Sequence, residues 1–223
     1  MALLIEMVSD IVCPWCWVGL RRIKAASALV PEVGIELAFR PFELDPSVPA
    51  GGVDYKEYMK QKFGSDAGKE RASSMRDALI QFGVDEGIPF NFDKITRRPN
   101  SFNAHRLVFW AQGQGKGIEA KEALFEAFFS NGEDIGDHDT LVAIAAKIEL
   151  DTDIISDLLK SDADVEKTRA EMNLFRQLGI SGVPTYIAHR SIAVQGAESA
   201  ERLAKFLKSA AAQHPAERSL NPV

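Results

Sequence analysis

Cys13 and Cys16 are the only cysteines in this chain of 223 residues, and they stand three positions apart in Cys13-Pro14-Trp15-Cys16. Random placement would give that spacing about once in a hundred such chains. A thiol pair at this separation can cycle between dithiol and disulfide. It can also be half of a zinc site, or two inert core residues. Zinc needs two more ligands, and the histidines (His105, His138, His189 and His214) offer no second pair at ligand spacing. The redox reading is preferred, and no metal is expected.

The surroundings of the pair decide its chemistry. Leu3-Leu4-Ile5-Glu6-Met7-Val8 is a short, mostly apolar run that reads as a strand. Ser9 and Asp10 follow, and residues 14–29 can form a helix. Strand, C-x-x-C, helix is the setting of a dithiol redox centre. Pro14 suits the first helical position, where its missing N–H costs nothing. Cys13 is then the N-cap, and its thiolate faces free backbone N–H groups and the positive end of the helix dipole. Cys16, in the first turn on the same face, is within reach to close a disulfide. The expectation is an exposed nucleophile at Cys13 and a resolving thiol at Cys16. Asp10 reads as a turn residue ending the strand, with proton transfer as the alternative. Trp15, Trp17 and Phe42 are candidates for an apolar substrate groove, Trp17 and Phe42 equally for core.

The rest of the chain bounds the class. A formal net charge of −6 and a pI near 5.3 argue against a nucleic-acid partner, and no basic run opposes this. No stretch approaches the ~20 apolar residues needed to span a bilayer. The N-terminus carries no Lys or Arg before its apolar run, and Glu6 interrupts that run, so no secretory signal is read. With Met1 as the native start, the protein is expected in the cytoplasm, where a thiol pair is more often catalytic than structural.

Around the first strand and helix, residues 34–44 alternate Ile35, Leu37 and Phe39 with Glu36, Ala38 and Arg40, which completes a βαβ unit. From Asp54 to about Leu178 the apolar period becomes helical, with a break from Gly87 to Pro99. Ser161 and Asp164 read as a cap for the last of these helices, and Gly179 as its exit. Residues 183–188 and 192–194 read as a hairpin turning at His189, Arg190 and Ser191, and residues 198–212 as a final amphipathic helix. The segment from His214 to Val223 is expected to be extended or flexible.

The order βαβ, helical insertion, ββα, with C-x-x-C opening the first helix, resembles the thioredoxin fold of the DsbA family. Residues 1–45 and 179–213 would form a discontinuous thioredoxin-fold domain, 46–178 an all-helical insertion domain and 214–223 a tail. The strings SDIVCPWCWVG (9–19), RPFEL (40–44), NSFNAHRLVFWA (100–111) and LGISGVPTYI (178–187) are similar to the FrnE-like branch of that family. The resemblance implies a protein disulfide oxidoreductase or isomerase acting on protein or low-molecular-weight disulfides and thiols. It needs no bound cofactor beyond its own redox-active disulfide, and glutathione is a candidate co-substrate. The chain can be a monomer or a dimer. The resemblance also implies a cis Val183–Pro184 bond beside the cysteines, which would present the Val183 backbone to an extended substrate. It places Asn100 and His105 at the border of the active cleft, with Pro14 and Trp15 lining it.

Two departures qualify the resemblance. DsbA has His where this chain has Trp15, so the thiolate loses a cationic neighbour and oxidising power should be lower. The related kappa-class glutathione transferases and 2-hydroxychromene-2-carboxylate isomerases carry Ser at the first cysteine position. Two cysteines here favour thiol–disulfide exchange, with a glutathione-dependent transferase or isomerase of a small molecule as the alternative.

Overall fold

The computed structural model describes residues 2–213. The expectation of a flexible tail from His214 onward lies outside the described residues. Among those residues no helix is long and apolar enough to cross a membrane.

Strand β1 (Leu3–Ser9) runs into the turn that carries Asp10, and helix α1 (Pro14–Leu29) begins directly after Cys13. Strand β2 (Ile35–Pro41) lies parallel to β1. After a long excursion the chain returns as β5 (Thr185–Ala188) and β6 (Ile192–Gln195), closing with α9 (Ala200–Ala212). The sheet order is β2-β1-β5-β6, with β5 antiparallel to both β1 and β6. β1 is therefore central, which explains why it reads as a nearly unbroken apolar run. The β5–β6 turn places His189 and Arg190 at φ 52° and 57°, the left-handed pair a tight hairpin needs.

Alternation along β1 builds two cores. Ile5 and Met7 join the main core with α1 and α9, whereas Val8 joins Phe42, Phe175 and Ile187 in a smaller cluster. Above this second face, Arg40 bridges Glu6 of β1 at 2.6 Å and Glu171 of the helix covering it at 2.8 Å.

Between β2 and β5 lie β3 (Val53–Asp54), α2 (Tyr55–Phe63), α3 (Asp66–Glu86), β4 (Arg97–Arg98), α4 (Phe102–Gln112), α5 (Gly117–Glu126), α6 (His138–Lys147), α7 (Thr152–Lys160) and α8 (Val165–Gln177). Two expectations need correction. The insertion is not all helical, because β3 and β4 pair antiparallel in a two-residue ladder. Strands that short leave no period-two signal. Asp164 stands at the N-cap position of α8, but neither its side chain nor that of Ser161 caps the helix. Asp164 sits at φ 56° and accepts a hydrogen bond from Trp110 Nε1 at 2.9 Å, while Ser161 Oγ donates to the Leu158 carbonyl. The Arg106 guanidinium organises this turn instead, donating to the carbonyls of Leu158, Ser161 and Ala163. At the other end of α8, Gly179 takes φ 82° as the expected exit.

α5 continues into a π-turn over Ala127–Asn131. This turn aims Phe128 and Phe129 into an aromatic cluster with Phe90, Phe92, Phe125 and Trp17. Trp17 follows Cys16 in sequence, so the cluster ties the insertion to the first turn of α1.

Candidate active site

Cys13 caps α1 in an extended conformation (φ −101°, ψ 109°), with Pro14 at the first helical position. Its N–H donates to the Asp10 carbonyl at 3.2 Å, and the Cys16 N–H donates back to the Cys13 carbonyl at 2.9 Å. Both cysteines are free thiols. The Cys13 Sγ–H donates to the Val183 carbonyl at 3.7 Å, which brings the turn before β5 against the helix N-terminus. The Val183–Pro184 bond is cis.

Cys13 is only 5% exposed, so the thiol expected to be exposed is instead buried. The backbone of Val183 stands over it. Cys16 is fully buried behind it. Burial, and then the hydrogen bond and charge of neighbouring Cys13, push the Cys16 thiol well above the usual thiol range, against the pull of Lys121. The pair thus differs in exposure: Cys13 keeps 5% of its surface and Cys16 none.

Glycine at position 19 makes this approach possible. A Cβ there would overlap the Tyr186 hydroxyl and come within 2.8 Å of Pro184 Cγ. Tyr186 lies on β5, fully buried, two residues beyond Pro184. Its burial and the nearby Cys16 hold the phenol well above its ordinary range.

Asp10 proves more than a turn residue. It is buried, and its carboxylate accepts from the Val12 N–H at 3.4 Å and from the Leu44 N–H at 2.8 Å. Burial disfavours its charge, but the His105 contact, Arg98 and the Leu44 hydrogen bond together hold its pKa at about 2. His105, also buried, places Nε2 3.4 Å from Asp10 Oδ1 and 3.1 Å from the Phe42 carbonyl. Both neighbours are acceptors, so Nε2 carries the ring proton. Burial lowers the His105 pKa, opposed by the Asp10 contact.

The other expected site residues fall in two groups. Trp15 is half-buried and meets Phe82 of α3 edge to face, centroids 5.5 Å apart. Asn100 ties two loops together, donating to the Val48 carbonyl at 2.7 Å and accepting from the Phe102 N–H at 2.9 Å. Its amide is occupied there and not by the dithiol. Trp17 and Phe42 are core residues, not groove walls. Among the described residues no group of three or more His, Cys, Asp or Glu is placed to hold a metal.

Sequence reasoning missed one residue of consequence. Lys121 is only 1% exposed, on α5, with its ammonium 5.7 Å and 5.4 Å from the ring centroids of Phe39 and Phe125. Burial lowers its pKa to about 8, opposed by Cys16, Asp10 and Cys13. The signal was available: Gly117, Lys121 and Phe125 fall at i, i+4 and i+8, on one stripe of the helix.

These features define a thioredoxin-fold protein with a thiol pair at the start of its first helix and a long insertion before its final hairpin. The chain belongs to the DSBA-like thioredoxin domain family, whose model matches residues 4–208. It is 29% identical over 190 residues to the uncharacterised protein YwbO of Bacillus subtilis (strain 168), an alignment covering 82% of this chain and 85% of that one. It is similar in structure to the probable DsbA oxidoreductase SCO1869 of Streptomyces coelicolor, with a TM-score of 0.86, 28% identity, and coverage of 99% of this chain and 92% of that one. It also shares its fold with the cytosolic disulfide reductase DsbM of Pseudomonas aeruginosa, solved with GSH, at a TM-score of 0.61 and 19% identity, covering 93% and 98%.

Proposed function

We propose that this protein is a dithiol–disulfide oxidoreductase working through Cys13 and Cys16. The observation that carries the reading is the asymmetry of the pair. Cys13 stands at the helix N-terminus against the Val183 carbonyl, while Cys16 is sealed behind it. In the reducing direction the Cys13 thiolate attacks a substrate disulfide, forming a mixed disulfide and releasing one substrate thiolate. The Cys16 thiolate then attacks Cys13 Sγ, closing the Cys13–Cys16 disulfide and releasing the second substrate thiolate. The pair loses two electrons and the substrate gains two. In the oxidising direction the steps reverse. Val183 and Pro184 form the wall against which a substrate segment docks, and Pro14 and Trp15 its other side.

Protein and low-molecular-weight disulfides are the proposed substrates. That DsbM was solved with GSH makes glutathione a reasonable thiol partner, and its description as cytosolic fits the proposed cytoplasmic setting. Insulin reduction tests the activity. Trapping tests the roles: Cys16→Ser should accumulate mixed disulfides and Cys13→Ser none, because only a resolving thiol releases a trapped partner. Equal trapping by both variants would overturn the assignment. Glutathione-conjugating activity that survives loss of Cys16 would favour the small-molecule transferase or isomerase instead.

A further inference from the structure

Helix α8, which leads into the turn before β5, carries cations that thiol exchange by itself does not use. Lys167, Arg169 and Arg176 lie over the rings of Phe109, Phe102 and Phe42, at 4.2, 4.5 and 4.6 Å from the centroids. The one ion pair that α8 makes among the described residues is that of Glu171 with Arg40. An aromatic face holds a cation in place without neutralising it. Arg169 and Arg176 are exposed, so their N–H edges are open to a ligand. A guanidinium held flat in this way is preorganised to meet a carboxylate with two parallel hydrogen bonds.

Arg176 is tied to the thiols by two routes. Phe42, the ring beneath it, shares an apolar cluster with Val183, whose carbonyl lies 3.7 Å from Cys13 Sγ. Its Nη2 also donates to the Glu43 carbonyl, and the next residue, Leu44, donates to the Asp10 carboxylate at 2.8 Å, in the turn that leads into Cys13. Residues 42–44 therefore separate Arg176 from the Cys13 turn by the thickness of one strand end. Arg169 stands seven residues before Arg176, on the same face of α8. The ring beneath it, Phe102, is one turn of α4 from His105, whose Nε2 lies 3.1 Å from the Phe42 carbonyl. Both guanidiniums thus flank the same short segment.

Glu43 is the acidic member of this group. It is 8% exposed, and its carboxylate makes no ion pair or hydrogen bond among the described residues, although its oxygens are not sealed from solvent. The charges around it are Asp10, Arg98, Arg169 and Arg176. Arg98 is buried and donates to the Pro99 carbonyl at 2.8 Å, and Asp10 is held by Leu44 and His105. Arg169, Arg176 and Glu43 are left without a charged partner. Two open guanidiniums and one unpaired carboxylate complement a group that carries both signs.

We propose that Arg176 and Arg169, together with Glu43, bind the α-amino-acid end of a small peptide disulfide whose sulfur reacts at Cys13. The guanidiniums take the carboxylate and Glu43 the ammonium. The proposal rests on the thiol-exchange reading above and names the class of substrate that site selects. A chain of net charge −6 repels anions at long range, so a carboxylate-bearing substrate needs cations placed locally. A tripeptide covers about 10 Å when extended, which lets a head group on Arg176 be joined to a sulfur at Cys13 across Phe42 and Val183.

Glutathione disulfide, a tripeptide disulfide with free amino-acid ends, is the probe. Its second-order rate of oxidising the reduced protein, read by acid quenching and thiol counting, is compared with those of two masked forms. The tetraethyl ester lacks the carboxylates, and the bis-N-acetyl derivative lacks the ammoniums. The parent should prefer glutathione disulfide over each by about tenfold or more, the worth of one charge-assisted hydrogen bond. Arg176→Gln should remove most of the preference over the ester, and Arg169→Gln a smaller part. Arg176→Lys keeps the charge without the fork and should retain part of it. Glu43→Gln should remove the preference over the N-acetyl form. A parent oxidised as fast by either masked form overturns the proposal. So does an Arg176→Gln that slows glutathione disulfide and its ester equally, which marks a structural role. If Arg176→Gln does not fold, Arg169→Gln decides by the same comparison, since its side chain makes no hydrogen bond among the described residues and lies at the surface. A parent oxidised by none of the three disulfides overturns the thiol-exchange reading itself, a result distinct from oxidation without preference.

Discussion

At the residue scale, the chemistry of the pair is set by what stands beside each sulfur. Cys13 stands at the N-terminus of α1, in the field of the helix dipole. Trp15 adds no charge to that. Its indole packs edge to face on Phe82 instead. The reduction potential should therefore fall between those of thioredoxin and DsbA, about −270 to −120 mV. A Trp15→His variant should be more oxidising by tens of millivolts, since about 30 mV corresponds to about 1.4 kcal/mol for a two-electron couple. Equilibration against a glutathione buffer measures both values, and a shift toward reducing potentials would show that Trp15 does not control the couple. The burial difference makes a second expectation at this scale. Cys13 should be alkylated well before Cys16 in the reduced protein, because Cys16 is both sealed and hard to ionise. Faster labelling of Cys16, read by peptide mass mapping, would reverse the roles.

At the element scale, the site depends on how closely β5 approaches α1. Position 19 is the point of contact. In a solvent-facing helix, Gly→Ala adds up to ~1 kcal/mol of stability. Here the added methyl group would run into Tyr186 and Pro184, so Gly19→Ala should destabilise by about 1–3 kcal/mol. It should also weaken insulin reduction by displacing Pro184 from Cys13. Denaturant unfolding alongside the activity assay checks both, and a stabilised, fully active Gly19→Ala would show that the close approach is dispensable. Arg106 plays a comparable part in the insertion. It closes the α7–α8 turn through the carbonyls of Leu158, Leu159, Ser161 and Ala163 and lies over Trp110, 4.9 Å from the ring centroid. Arg106→Met should leave those carbonyls without partners and cost roughly 3 kcal/mol in the same unfolding experiment. The Ser161–Asp164 spacing resembled a helix cap in the sequence. Nothing in that string reveals that a side chain fifty-odd residues earlier supplies the turn's donors.

At the scale of the whole molecule, buried charge links stability to pH. Asp10 has a folded pKa of about 2 against an ordinary 3.8. A carboxyl depressed on folding adds stability that is present above the unfolded pKa and lost as pH falls through the folded one. The Asp10 contribution, about 2 kcal/mol, should therefore disappear between about pH 4 and pH 2. His105 and Lys121 are also lowered on folding, so the unfolded chain binds more protons at each of these sites too. For Lys121 this favours the folded state increasingly from about pH 8 to the ordinary lysine value of 10.5. Unfolding free energies should show the acid slope between about pH 4 and 2 and the Lys121 slope between about pH 8 and 9. Above pH 9 Cys16, and then Tyr186, both raised on folding, act in the opposite sense. Asp10→Asn should flatten the acid limb, and Lys121→Met the alkaline one. An unchanged acid limb in Asp10→Asn would mean that the carboxylate is not held ionised in the fold.

The sequence by itself determined the thiol pair, its place at the start of a helix running over residues 14–29, the βαβ opening and the closing hairpin and helix. Each of these is written in local terms: a spacing, a proline at N1, an alternation of apolar residues, a short turn. That Cys13 caps the helix was legible too, since only one of the two cysteines can. Tertiary structure decided the rest. It buried Cys13 under the Val183 backbone where the sequence suggested an open thiol, and turned Asp10 into a locked carboxylate through Leu44 and His105. It paired β3 with β4, too short to leave a pattern. It brought Lys121, more than a hundred residues away in the chain, into the electrostatic reach of Cys16. A period marks which face of a helix is buried, but not what lies on the other side of the contact. That partner is fixed only when sheet and insertion pack together.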